Sequence, residues 1–106
     1  IDVAVHPDSP EGQALMASAL VHLAADEPEA ALGLANRALS LHEQTGHSLG
    51  VARTLMVAGR ARHRLGRAAA ARADWERARE ILDGIGAGLP EAADVRMLID
   101  ATPVGR

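Results

Sequence analysis

The sequence predicts an all-α protein, an α-solenoid in which antiparallel helix pairs stack to give about five helices, and three observations carry that prediction. A shift of forty residues superposes Leu15 on Leu55, Met16 on Met56, Ala31 on Ala71, Arg37 on Arg77, Ala38 on Ala78 and Gly46 on Gly86. Self-similarity at such a period marks a stacked-repeat architecture, in which each unit buries its apolar face against its neighbours. Hydrophobic residues make up 48% of the chain, yet Phe and Tyr are absent and Trp75 is the sole aromatic, so the core must be helices in close approach with small side chains between them. Strand-favouring β-branched and aromatic residues are sparse, which argues against a sheet. Finally, Ala71, Trp75, Ala78, Leu82 and Ile85 alternate spacings of four and three and draw one apolar stripe along a helix.

The elements follow in order. Residues 1–9 form an entry segment, with Ser9 as N-cap and Pro10 as the first helical position. The first helix is predicted from about Pro10 to Ala25. Asp26 and Glu29 bracket Pro28 at capping-box spacing, and the second helix then runs to about Gln44 and stops at Gly46. A third helix opens at Ser48 or Gly50 and ends at Gly66; a fourth spans about Arg67 to Leu82 and carries the stripe, including Ile85, as core. The run Asp83-Gly84-Ile85-Gly86-Ala87-Gly88 unwinds the chain, Pro90 restarts it, and Ala92, Val95, Leu98 and Ile99 make a fifth helix amphipathic until Pro103. One helical domain, 10–102, thus divides into repeat one (about 10–46), repeat two (about 48–86) and an extra helix (about 90–101), with a tail at 103–106.

Composition bounds the rest. At 106 residues there is room for one small domain. Without cysteine there is no disulfide framework and no thiolate chemistry. The longest apolar stretch, Leu15 to Ala25, is broken by Ser18 and His22 and falls far below the roughly 18 residues of a spanning helix; a cytoplasmic location is expected. Every basic residue is Arg, which with the abundance of Ala and Gly points to a GC-rich bacterial genome. The chain opens at Ile1 without an initiator Met and is expected to be a piece of a larger polypeptide.

Position by position, the two units resemble the tetratricopeptide repeat, whose helix pair asks for a large residue, a small pair around a Gly, an aromatic, then Ala, an aromatic and Ala. Leu55, Ala58, Gly59, Arg62, Ala71, Trp75 and Ala78 fill these places in the second unit; Leu15, Ser18, Ala19, His22, Ala31, Ala35 and Ala38 fill them in the first. Arg62 and His22 depart from the pattern, as does a period of forty instead of about thirty-four. The resemblance implies a right-handed stack with Gly59 and Ala71 where paired helices come closest and Trp75 filling the gap to the next helix. The stretch from Leu39 to Arg96 further resembles the C-terminal repeats of actinobacterial regulators of the SARP (antibiotic regulatory protein) and signal-transduction ATPase types. It does so through Thr45-Gly46-His47 with Leu49-Gly50, through Leu65-Gly66-Arg67, and through Trp75, Ile81-Leu82, Gly86, Glu91 and Val95-Arg96. That likeness implies a protein-interaction or sensor module in a transcriptional regulator whose DNA-binding and ATPase domains lie elsewhere, or, as the alternative, a free-standing adaptor.

Charge is distributed unevenly. Residues 1–50 hold seven acids against Arg37, residues 51–82 eight Arg against three acids, and residues 83–106 four acids against two Arg. In the repeat family the first helix of each unit lines the inner face. Here that face would read Gln13, Met16, Leu20 and Leu23, then Arg53, Met56, Arg60, His63 and Arg64, then Arg96, a groove that begins apolar and turns basic. Such a groove suits an acidic or amphipathic peptide, a partner protein or another domain of the same polypeptide. The alternative is a solvated face balanced by Asp74, Glu76 and Glu80. With only two full units where about three are usual, self-association is also expected.

Other chemistries find less support in the residues. Net acidity, the lack of Lys and the lack of aromatics among the Arg argue against direct nucleic-acid binding. Gly84, Gly86 and Gly88 follow a helix where a phosphate loop would follow a strand. His42 and His47 straddle the Gly46 break, His63 lies in another helix, and no two His share the one-turn spacing of a metal face; His22 and Asp26 read as a local pair. No cofactor and no catalytic residue is predicted, and the chain reads as a non-enzyme.

Overall fold

Turns recur every twenty residues, and they fix the helix lengths. In the computed structural model, which describes residues 10–86 and 88–102, Asp26, Gly46 and Gly66 all adopt the left-handed conformation, with φ of 63°, 70° and 81°. At each one the next N–H reaches back five residues: Glu27 to the carbonyl of His22 (2.8 Å), His47 to His42 (2.9 Å) and Arg67 to Arg62 (2.9 Å). Such bonds satisfy the orphaned carbonyls of a helix end while turning the chain sharply. The resulting helices are α1 (Pro10–Ala24), α2 (Pro28–Thr45), α3 (Ser48–Arg64), α4 (Ala68–Ile85) and α5 (Pro90–Asp100), with no strand among the described residues. The fourth turn differs: Gly86 has φ 154° and Gly88 φ 88°, and a longer connection leads to α5. Expectations for residues 1–9, Ala87 and 103–106, including the Ser9 cap, lie outside the described residues.

Three local expectations are corrected. Asp26 does not cap α2; it supplies the left-handed turn out of α1, and Glu27 takes the N-cap position without a side-chain hydrogen bond. His22 accordingly meets Glu27, Nδ1 to Oε1 at 2.6 Å, and not Asp26. Helix α4 continues past Leu82 to Ile85, which is 44% exposed, because α5 starts only at Pro90 and leaves the last turn of α4 uncovered.

Sequential helices pack side by side and run antiparallel. The start of α1 meets the end of α2 at Gly12 and His42, while Leu23 at the end of α1 clusters with Ala31 at the start of α2 and Ala61 of α3. Alternate helices run in register: Thr54 Oγ1 lies 3.2 Å from Met16 Sδ, and Arg53 of α3 bonds Glu91 of α5. Ala31, Ala35, Ala38, Ala71 and Ala78 are fully buried. With no larger side chain there, neighbouring axes can approach at the short end of the usual 8–10 Å spacing. The main core joins Val51, Ala52 and Leu55 of α3 to Trp75 and Leu82 of α4 and Val95 and Ile99 of α5; a fully buried Leu such as Leu82 contributes about 1.5–3 kcal/mol. Repeat equivalence is imperfect, since Leu55 is buried where Leu15 is only half-buried.

Candidate partner-binding face

Along the face formed by α1, α3 and α5, two hollows are lined by described residues. The first, about 330 Å³, lies between Gln13, Met16, Ala17 and Leu20 of α1, Gly50 and Arg53 of α3, and the His42 and His47 rings. The second, about 390 Å³, lies between Arg60, His63 and Arg64 of α3 and Leu98, Ala101 and Thr102 at the end of α5, with Trp75 beneath. Seven of the ten groove residues named from the sequence therefore line one hollow or the other: Gln13, Met16, Leu20 and Arg53 the first, Arg60, His63 and Arg64 the second.

The remaining three sit elsewhere. Leu23 is buried against Ala31 and Ala61. Met56 is buried in the main core, and its carbonyl accepts the indole N–H of Trp75 at 3.1 Å. Arg96 projects toward the α4–α5 connection, 3.7 Å from Asp83, beside Gly86 and Leu89. Glu91 and Leu98, not Arg96, lie along the edge of α5 that faces α3. Trp75 itself fills the space under Gly59, where a Cβ would fall 2.3 Å from Nε1, and Ala71 is fully buried in the same core.

The floor of the first hollow was not legible as such. His42 is 2% exposed and wedged between Gly12 and Gly50, whose added Cβ atoms would fall 2.7 and 2.5 Å from its ring. The Gly46 turn folds His47 back so that the two rings stand 5.0 Å apart, edge to face, with Nδ1 to Nδ1 at 3.3 Å. The forty-residue shift aligns His42 with Leu82, a core residue, and that alignment is the signal that would have found it.

Most of the Arg residues are engaged. Arg53 Nε and a terminal nitrogen contact Glu91 Oε2 at 2.9 and 2.7 Å. The Glu91 carboxyl is held below its ordinary range by a backbone hydrogen bond at the start of α5 and by the Arg53 bond. Arg62 bonds Asp74, Arg72 pairs with Glu76, and Arg77 of α4 reaches Glu43 of α2 at 3.0 Å. Burial pushes the Asp74 carboxyl up, although Arg62 and Arg77 pull the other way. Arg64 donates to the carbonyl of Leu23 and stands 4.0 Å from the exposed Asp26. Arg60 is exposed and has no acidic partner among the described residues. Of the balancing acids named from the sequence, Asp74 and Glu76 meet Arg62 and Arg72; neither approaches Arg60.

The outer side of α1 carries a second feature. Ala14, Ala17 and Val21 are exposed, Val21 to 66%. Forty residues on, Thr54, Val57 and Ala61 occupy the same side of α3 and are buried by α1 and α2. Among the described residues no three His, Asp or Glu side chains converge on a metal position, and no helix is long and apolar enough to cross a membrane.

No protein-family model, curated protein or solved structure matches the chain.

Proposed function

We propose that the chain is a non-catalytic protein-interaction module, a right-handed stack of helix pairs of the tetratricopeptide type, acting as a partner-binding sensor within a bacterial transcriptional regulator. The observation that carries this reading is the common face of α1, α3 and α5, on which side chains from equivalent helices surround two adjacent open hollows, apolar at Met16 and Leu20 and basic at Arg60 and Arg64. The twenty-residue turn spacing and the fully buried Ala31/Ala71 and Ala38/Ala78 pairs support the repeat.

The test begins with the reading frame that encodes the chain. A regulator must carry DNA-binding and ATPase domains in it, and the purified remainder of that polypeptide should bind the helical module in a calorimetric titration, more weakly after Leu20→Asp. A reading frame without those domains removes the regulator assignment. The free-standing adaptor reading would then take its place, and one observation favours it: the exposed charge of Arg60, which meets no acid among the described residues.

A further inference from the structure

We infer that His42 and His47 form a zinc site, in which their two Nδ1 atoms hold one Zn²⁺ ion at the floor of the hollow between α1 and α3. The inference is independent of the interaction-module reading above.

Along a continuous helix, residues five apart point about 140° apart around the axis and could not share an ion. Gly46 removes that obstacle. Its left-handed turn, φ 70°, ends α2 after Thr45, and the His47 N–H returns to the His42 carbonyl at 2.9 Å. The side chains then meet at Nδ1, 3.3 Å apart, with ring planes inclined by 66°.

That separation discriminates among ions. Zinc bound tetrahedrally at about 2.0–2.1 Å from imidazole nitrogen sets its ligands about 3.3–3.4 Å apart. A square-planar Cu²⁺ or Ni²⁺ site with similar bonds asks for about 2.8–3.0 Å between neighbouring ligands, and Mg²⁺ and Ca²⁺ take oxygen donors. The spacing of 3.3 Å fits zinc, and it exceeds the about 2.7–3.2 Å usual for a hydrogen bond from nitrogen to oxygen.

The surroundings hold the pair in place. An added Cβ would fall 2.7 Å from Cε1 of His42 at Gly12 and 2.7 Å from its Cγ at Gly50, so two glycines clamp the buried ring while its Nδ1 meets His47. Both rings line the hollow of about 330 Å³ together with Gln13 and Met16. The described residues supply two ligands and no third, and the hollow has room for two waters to complete four-coordination. Arg53 also lines it, with its charge offset by two contacts to Glu91. Ligation uses both Nδ1 lone pairs, so each neutral ring carries its proton on Nε2 when zinc is bound.

The experiment titrates Zn²⁺ into the untagged, metal-free chain by calorimetry, with Mg²⁺ as the comparison ion. One Zn²⁺ per chain is expected, with a Kd of about 1–100 μM, since two protein ligands serve where structural sites have four. His47→Gln, at a half-buried turn position, should weaken binding about tenfold or more, with its fold checked by circular dichroism. His63→Gln, exposed on α3, should bind as the parent does. Two readouts need no variant: Co²⁺ should give the intense visible bands of a tetrahedral complex, and Zn²⁺ should shift the ring resonances of His42 and His47 but not those of His22 and His63. Absence of saturable binding, equal binding of Mg²⁺, unchanged affinity in a folded His47→Gln, a weak octahedral Co²⁺ spectrum, or unmoved His42 and His47 resonances would each overturn the inference.

Discussion

Gly59 of α3 lies flush against the indole of Trp75 in α4, so that a Cβ at position 59 would stand 2.3 Å from Nε1, the atom that donates to the Met56 carbonyl. Trp75 is buried and cannot swing aside. Gly59→Ala therefore both overpacks the core and strains a buried hydrogen bond, at a cost of about 1–3 kcal/mol net of the gain in helix propensity. Gly33, on the exposed side of α2, meets nothing within 4 Å, and Gly33→Ala should stabilise by about 0.5–1 kcal/mol. Denaturant melts of the two variants should move in opposite directions; a neutral Gly59→Ala would show that α3 and α4 are not in this contact.

His42 makes a comparable demand on two helices at once. An added Cβ at Gly50 would approach both the His42 and His47 rings at 2.5 Å. Gly50→Ala should destabilise by about 1–3 kcal/mol, and His42→Ala by about 2–4 kcal/mol through the void it leaves. In the double variant the new methyl enters that void. The double-mutant cycle should accordingly show a favourable coupling above about 0.5 kcal/mol, whereas strict additivity would mean that the ring does not sit between α1 and α3.

Glu91 confers a pH dependence of definite sign. Its folded pKa is lowered by the backbone hydrogen bond at the α5 N-terminus and by Arg53, so the unfolded chain binds its proton more tightly. The stabilisation is present above the ordinary glutamate range and lost as pH falls through the folded pKa. Glu91→Gln should cost under about 1 kcal/mol at neutral pH, since Arg53 is half exposed. The difference between variant and parent should vanish in acid, as urea melts at the two pH values will read.

Asp74 runs the opposite way. Burial raises its folded pKa above 3.8 in spite of Arg62, so the folded state holds the proton more tightly, and stability falls as pH rises from the unfolded to the folded pKa. Arg62→Met removes the largest opposing influence and lifts that pKa further. Its destabilisation should be about 1–2 kcal/mol near neutrality and smaller in acid. Equal losses at both pH values would exclude Asp74 as the cause.

The uncovered α1 stripe leads to an expectation about mass. Ala14, Ala17 and Val21 match the buried Thr54, Val57 and Ala61 of α3, and an apolar helix face of this kind favours association. Light scattering should show mass rising with concentration, and Val21→Arg should hold the chain monomeric with an unchanged melting temperature. A parent chain that stays monomeric throughout would mean that the stripe is not used between copies.

Sequence by itself determined the helices and much of their packing face, because both are local. Pro28 and Pro90 start helices, Gly46 and Gly66 end them, and the fully buried Ala31, Ala38, Ala71 and Ala78 lie where spacings of three and four place them. Tertiary structure alone decided what those faces meet. Whether Asp26 would cap α2 or turn α1 depended on backbone conformation, and Asp is one of the few residues that tolerate φ of 63°. That His42 would be buried against His47, that Glu91 would answer Arg53 while no acid among the described residues answers Arg60, and that Arg96 would leave the groove for Asp83 all depend on the register between helices. That register is set by close packing across the whole core, at Gly59 under Trp75 and at Gly12 and Gly50 around His42, and no periodicity along a single helix records it.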